Sequence, residues 1–175
     1  GNKLSETYKD GKTTYYTYDA KGNMLSKTDP LGNKTEYTYN SRNQILTIKD
    51  PEGNVTTYTY DNKGNLLSKT DPKGNTVTAT YDTKGNVLTE KDPNGNVTSY
   101  SYDAFGNLIS KIDPLNNITN YTYDANGNRT SVSMTRTTPS GTETLVTNYL
   151  YDNLNRVKEI INPYGKSRKV TYNSL

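Results

Sequence analysis

The chain has 175 residues, of which 30% are hydrophobic, and its 21 basic and 18 acidic side chains give a net charge of +3. The charges are interspersed, so no run of Lys or Arg predicts a nucleic-acid-binding stripe, and no apolar stretch is long enough for a membrane span. Cysteine and histidine are absent, which excludes a disulfide framework, the usual zinc sites and the usual nucleophilic dyads.

Two turn signals alternate along the chain from its start to its end. The first is Tyr-Asp or Tyr-Asn, which recurs every 21 residues at Tyr18, Tyr39, Tyr60, Tyr81, Tyr102 and Tyr123, and returns at Tyr151 and Tyr172. The second is Asp-Pro or Asn-Pro, at Asp29, Asp50, Asp71, Asp92, Asp113 and Asn162. A fixed period of this length is typical of a repeat protein, in which each repeat is one supersecondary unit.

Both signals have the form Asp-x-x-Gly, which predicts a type I turn followed by a glycine bulge. Aspartate accepts hydrogen bonds from the amides ahead of it, proline presets the first central residue, and glycine supplies a positive φ. The residues predicted to carry this chemistry are Asp19, Gly22, Asp61, Gly64, Asp71, Pro72, Gly74, Asp82, Gly85, Asp103, Gly106, Asp124 and Gly127. The prediction is therefore a structural role for the aspartates.

Two kinds of short segment lie between the turns. The segment before each Tyr-Asp alternates, as in residues 55–60, which predicts a strand with both tyrosines on one face and threonine or a charge on the other. The second kind, as in residues 65–70, has two adjacent apolar residues near its start, and the sequence leaves its inward side open. We therefore expect an all-β fold in which tandem 21-residue β-hairpin repeats form a curved or spiralling antiparallel β-sheet.

The whole chain, residues 1–175, is predicted to be a single array of about seven to eight such repeats. The exception is an irregular insertion at residues 134–147, where the expected Asp-Pro turn is replaced. A lid or a partner loop is an alternative for this segment, but surface hairpins tolerate insertions and we favour that interpretation.

The consensus Tyr-Asp-x-x-Gly-Asn-Leu-x-Ser-x-x-Asp-Pro-x-Gly-Asn, clear in residues 60–75 and 102–117, closely resembles the YD repeat, also called the Rhs repeat. Members of that family are bacterial Rhs and wall-associated polymorphic toxins, shell subunits of toxin complexes, and teneurins. The resemblance implies a long sheet wound into a hollow shell, which encloses a C-terminal toxin in the bacterial proteins and serves as an adhesion scaffold in teneurins. The family's repeat-associated core region, with its self-cleaving aspartates, has no counterpart here.

The resemblance therefore implies a non-catalytic section of shell wall from a secreted or cell-surface bacterial protein. Its expected partners are further YD repeats of the parent chain and an enclosed toxin domain, and no cofactor or metal is expected. The Gly-Asn and Lys content favours a Gram-positive source.

Three alternatives use the same residues differently. The tyrosines, in particular Tyr58, Tyr60, Tyr100 and Tyr102, could stack on sugar rings in an extracellular carbohydrate-binding or adhesion module, although core packing between neighbouring repeats explains them more simply. Calcium binding by the turns is disfavoured because each turn has one carboxylate. Open edge strands near Leu4 and Val170 predict self-association at high concentration.

Overall fold

The computed structural model describes residues 1–173, which form sixteen β-strands and no helix. In chain order these are β1 (Ser5–Thr7), β2 (Thr13–Tyr18), β3 (Met24–Thr28), β4 (Lys34–Tyr39), β5 (Ile45–Lys49), β6 (Val55–Tyr60), β7 (Leu66–Thr70), β8 (Thr76–Tyr81), β9 (Val87–Lys91), β10 (Val97–Tyr102), β11 (Leu108–Ile112), β12 (Ile118–Tyr123), β13 (Arg129–Thr138), β14 (Gly141–Tyr151), β15 (Val157–Ile161) and β16 (Ser167–Lys169). Because the described residues contain no helix, they contain none that could cross a membrane.

The contacts divide the chain into two compact units. The first comprises residues 1–79 and 92–94, and the second comprises residues 80–91 and those from 95 onward. In the first unit, β1 to β7 and residues 76–79 of β8 follow one another in chain order, and each strand pairs antiparallel with the next. In the second unit, β9 to β16 do the same. The predicted fold class, all-β with tandem antiparallel hairpins, is confirmed.

A β-bulge lies beside six of the Tyr-Asp turns and explains the adjacent apolar residues. Thr59 pairs with Ser68, but Tyr60 pairs with Leu66, so Leu67 is an additional residue in β7. In a bulge, two residues of one strand oppose a single residue of its partner, and here both leucines lie opposite Tyr60. The same shift occurs after Thr17, Thr38, Ser101, Thr122 and Leu150.

The sheets are thin and have no conventional core. Among the described residues no hydrophobic side chain is buried, and the buried polar residues are Thr14 and Ser26. Burial nevertheless alternates along β6: Tyr58 and Tyr60 are half-buried, whereas Thr59 between them is exposed. Order must therefore come from pairing between neighbouring strands, as in other repeat proteins.

The face opposite the tyrosines carries cross-strand pairs of hydroxyl groups. The hydroxyls of Thr59 and Ser68 are hydrogen-bonded at 2.6 Å. Equivalent bonds join Thr17 to Ser26, Thr38 to Thr47, Thr80 to Thr89, and Thr122 to Ser131. Directly opposed side chains of this kind are a recognised source of sheet stability.

The insertion at residues 134–147 is irregular in sequence but regular in backbone. It belongs to the β13–β14 hairpin, whose register runs without a shift from Ser131 paired with Asn148 to Thr138 paired with Gly141. The insertion therefore lengthens a hairpin and does not form an irregular loop.

Candidate functional site

The aspartate at the start of a Tyr-Asp turn stabilises that turn with its own side chain. At Asp61, Oδ1 accepts hydrogen bonds from the backbone N–H groups of Lys63 at 2.8 Å and Asn65 at 2.9 Å, and Oδ2 accepts one from Nδ2 of Asn65 at 2.8 Å. The N–H of Gly64 donates to the carbonyl of Asp61 at 3.1 Å, with a φ of 96°. A positive φ after a type I turn is the geometry of a glycine bulge.

The other predicted turn residues occupy the corresponding positions in their own repeats. The hydrogen bond donated by the asparagine side-chain amide to the aspartate carboxylate recurs at Asp19, Asp29, Asp50, Asp71, Asp82, Asp103, Asp113 and Asp124. Positive φ values occur at Gly22, Gly74, Gly85, Gly106 and Gly127. Pro72 follows Asp71 in a turn of the second kind. Three turns place asparagine in the glycine position, at Asn43, Asn116 and Asn155, with φ near +60°.

These hydrogen bonds lower the pKa of the turn carboxyls. At Asp61 the first cause is the hydrogen bond from the Asn65 side chain, supported by the backbone amides of the turn. Donors to a carboxylate favour its charged form. Both oxygens are thus engaged within the turn, and the described residues contain no group of three or more side chains suited to hold a metal ion.

The asparagine after each glycine has a role that the sequence reasoning missed. Asn65 donates both its backbone N–H and its side-chain amide to the carboxylate of Asp61. The signal was present, since Asn follows Gly in most repeats. Asp152 has Arg156 in the same position, and its Nε donates to the carboxylate at 2.8 Å.

In four Tyr-x-Tyr pairs, and at Tyr172, a tyrosine hydroxyl connects its segment of the chain to the preceding strand. The Tyr60 hydroxyl donates to the carbonyl of Ile45 at 2.9 Å, 15 residues earlier. The β5–β6 ladder ends at Thr47 paired with Thr57, so this bond lies beyond the paired part of the two strands. Equivalent bonds run from Tyr39 to Met24, from Tyr123 to Leu108, from Tyr172 to Val157 and from Tyr151 to Arg129.

Side chains also connect successive Tyr-Asp turns. The Asn23 side-chain amide donates to Oδ1 of Asn43 at 3.0 Å. One repeat further on, Nε2 of Gln44 donates to the carbonyl of Gly64 at 2.8 Å. In the second unit, the Asn126 amide donates to Oδ1 of Asn155 at 3.1 Å. These turns are therefore fixed both internally and to the next Tyr-Asp turn of the same unit.

Open clefts recur between successive Tyr-Asp turns. Each is lined by a Tyr-x-Tyr pair, by the additional residue of a bulge, and by the two flanking turns. The largest, of about 760 Å³, contains Tyr121, Tyr123, Ile109 and the exposed ring of Phe105. Clefts of about 500 Å³ and 410 Å³ contain Tyr37 with Tyr39 and Leu25, and Tyr58 with Tyr60 and Leu46.

The four tyrosines considered for sugar stacking have different surroundings. Tyr58 and Tyr60 share the 410 Å³ cleft, and both rings are half-buried. The Tyr100 hydroxyl donates to Oε2 of Glu90 at 2.7 Å; burial, followed by this contact, raises the pKa of Tyr100 to about 12. Burial also raises the pKa of Tyr102. The structure thus brings Tyr58 and Tyr60 into one open cleft and gives Tyr100 an acidic neighbour.

Comparison with known proteins identifies similar sequences and folds. The family model for the teneurin YD-shell matches residues 2–168. A solved Tc holotoxin pore of Photorhabdus luminescens is 20% identical, with a TM-score of 0.67, and the match covers 89% of this chain and 9% of that one. The TcdB2–TccC3 complex without its hypervariable C-terminal region is 18% identical, with a TM-score of 0.71, over 91% of this chain and 10% of that one.

The chain therefore spans about a tenth of the length of the toxin-complex chains whose fold it shares. No curated protein sequence matches it. At these identities the solved structures establish the likeness of fold, while the match over residues 2–168 covers nearly the whole sequence.

Proposed function

The chain belongs to the teneurin YD-shell family, and from this premise we propose that it is a section of the wall of a hollow shell enclosing a toxin that lies C-terminal in the same protein. The chain is a structural shell segment. Enclosure of a toxin, secretion or display at a bacterial surface, and a Gram-positive source are the further parts of the proposal. The last of these rests on the Gly-Asn and Lys content alone.

The observation that carries the proposal is that each repeat pairs with the repeats next to it in chain order. Its turns are stabilised by their own aspartates, and among residues 1–173 its strands pair only with the strands next to them in chain order, so repeats can be added one after another to a wall. The TcdB2–TccC3 complex, which shares this fold, has a hypervariable C-terminal region, the position at which we place the toxin.

The proposed role is mechanical and not catalytic. The carboxylates that could have served as acid or base close turns instead, and their pKa values are lowered, whereas a general acid needs a raised one. The expected partners are accordingly further YD repeats of the parent protein and the enclosed domain.

Limited proteolysis of the full-length parent protein tests enclosure. We expect further YD repeats and then a variable C-terminal domain downstream, and we expect that domain to resist protease until denaturant opens the shell. As a control, the same domain expressed alone should be cleaved readily. Equal cleavage of the free domain and of the domain in the intact parent would contradict enclosure.

A second candidate function is carbohydrate binding, supported by the half-buried rings of Tyr58 and Tyr60 in one open cleft. Aromatic faces pack against the apolar face of a sugar ring. A glycan array followed by titration of Tyr58→Ala tests it, with Thr57→Ala on the opposite, exposed face as the matched control. Loss of binding in Tyr58→Ala alone would support a sugar site, and an array without signal would reject it.

A further inference from the structure

One hairpin of the second unit projects beyond its neighbours. β12 pairs with β13 only as far as Thr135, opposite Ile118, and β15 pairs with β14 only from Asn148, opposite Ile161. Within the described part of the chain, residues 136–138 therefore pair only with β14, and residues 141–147 pair only with β13. We call residues 136–147 the arm. The hairpins on either side close before this point, in turns at residues 113–117 and 162–166.

The two edges of the arm differ in length. On β13, three residues, 136–138, lie beyond the last pair with β12, whereas on β14 seven residues, 141–147, precede the first pair with β15. The backbone N–H and C=O groups that point away from the hairpin along such an edge can pair with another strand. The edge at residues 141–147 is therefore the longer unpaired edge and the better site for the addition of another strand.

This edge lacks the features that usually prevent pairing. Natural edge strands are protected by lysine, proline, bulges or charges. Residues 141–147 contain neither Lys nor Pro, and their register with β13 has no shift. Their one charged residue, Glu143, is held by Arg136 of β13, whose Nη2 and Nε lie 2.9 and 3.0 Å from Oε2. Residues 136–143, at the tip of the arm, form only two strands among the described residues. Such a ribbon is only marginally stable in water, so a third strand would stabilise it.

We propose that residues 141–147 pair antiparallel with the same residues of a second copy of the chain. The result is a four-stranded sheet in the order β13–β14–β14–β13 across a twofold axis, a closed and self-complementary interface. Further repeats would extend the meander beyond β1 and β16, so they would leave this edge uncovered. β1 and β16 are also only three residues long, and β16 carries Arg168 and Lys169.

Charge and composition are compatible with self-pairing. When six or seven of these residues are aligned antiparallel, the paired numbers sum to 287, 288 or 289, so Glu143 lies opposite Thr144, Leu145 or Val146. Glu143 thus never faces Glu143 of the second copy in these registers, and like charges opposed across strands would be destabilising. Threonine and valine, which make up four of the seven residues, favour strands.

Light scattering with size-exclusion chromatography over a concentration series tests the proposal. We expect the chain to convert from monomer to dimer as its concentration rises. Thr144→Lys should shift this equilibrium towards monomer, because it places a cation on the edge. Thr137→Lys, which adds the same charge to an exposed threonine on the other strand of the arm, should leave it unchanged. The proposal would be overturned if the unsubstituted chain stayed monomeric at every concentration, or if Thr144→Lys did not weaken the dimer.

Cross-linking provides a second measurement that does not depend on adding a charge. The chain has no cysteine, so a single introduced cysteine is cross-linked only at its own position. A short bismaleimide should link Thr144→Cys into a covalent dimer but not Thr137→Cys, since the two β13 strands of the dimer lie three strand spacings, or about 14 Å, apart. Equal yields from the two variants would overturn the proposed interface.

Discussion

The turn aspartates make the stability of this chain depend on pH. Their hydrogen bonds lower the pKa in the folded state, for Asp61 and for Asp19, Asp29, Asp50, Asp71, Asp82, Asp103, Asp113, Asp124 and Asp152. A lowered folded-state pKa contributes stability above the unfolded-state value of about 3.9, and that stability is lost as the pH falls through the folded-state values. We expect thermal melts to be nearly constant near neutrality and to drop steeply below about pH 4.

A substitution can isolate the contribution of a single turn to the pH dependence of stability. Asp61→Asn keeps a side-chain oxygen for the backbone amides, as Asn40 does in a neighbouring turn, but removes the titrating group. This variant should melt lower than the parent at neutral pH and lose less of its stability in acid. Parallel curves for parent and variant across the whole pH range would show that the turn carboxylate does not contribute to the pH dependence.

Gly85 tests the backbone geometry of the same turn. Its φ is 91°, a conformation that β-branched residues strongly resist. Gly85→Val should therefore reduce the free energy of unfolding by about 1–3 kcal/mol, measured by chemical denaturation. Gly85→Asn is the matched control and should cost less, because asparagine already adopts a positive φ at Asn43, Asn116 and Asn155. Equal losses from valine and asparagine would indicate a cause other than φ.

At the scale of strands, the tyrosine hydroxyl is expected to stabilise the end of the ladder. Tyr60→Phe keeps the ring but removes the bond to the Ile45 carbonyl, so we expect a loss of about 0.5–1.5 kcal/mol in chemical denaturation. Tyr58→Phe is the control, since among the described contacts the Tyr58 hydroxyl has no hydrogen-bond partner. The hypothesis fails if both substitutions cost the same.

The strands and turns could be predicted from the sequence because their signals are local. The alternation in residues 55–60 and the Asp-x-x-Gly pattern each depend on neighbours within a few positions. The bond from Tyr60 to Ile45 could not be predicted in this way, because it depends on where the β5–β6 ladder ends. The bulge at Leu67 was hidden for a related reason: two adjacent leucines have the same pattern with or without a register shift.

The arm lies in a segment where the repeat markers, from which the other strands are predicted, are missing. Residues 134–147 lack the repeat markers, which predicts an insertion in a surface hairpin, and they pair in continuous register. Their many threonines favour an extended backbone. A marker-free segment between two regular strands can thus lengthen both of them.

For the molecule as a whole, we expect that one complete 21-residue repeat can be deleted without loss of the fold. Removing residues 40–60 joins Tyr39 to Asp61, which restores a Tyr-Asp turn and leaves every later strand in its normal relation to its neighbours. Since repeats interact mainly with adjacent repeats, we expect this variant to remain folded with the same β-sheet circular dichroism signal per residue. Its urea m-value should fall slightly, because less surface is exposed on unfolding.

Removing half a repeat should destabilise the protein far more than removing a whole repeat, although it deletes fewer residues. Deletion of residues 40–49 joins Tyr39 to Asp50, and β4 then takes the position of β5 against β6. Lys49 normally pairs with Val55, so Tyr39 would pair with Val55, and Tyr37 would lie opposite Thr57. A shift of one residue moves a strand's side chains to the other face, so Tyr58 and Tyr60 would lie on the face opposite Tyr37 and Tyr39. We expect a much lower melting temperature than for the 21-residue deletion; equal melting temperatures would mean that the tyrosine face does not hold successive repeats together.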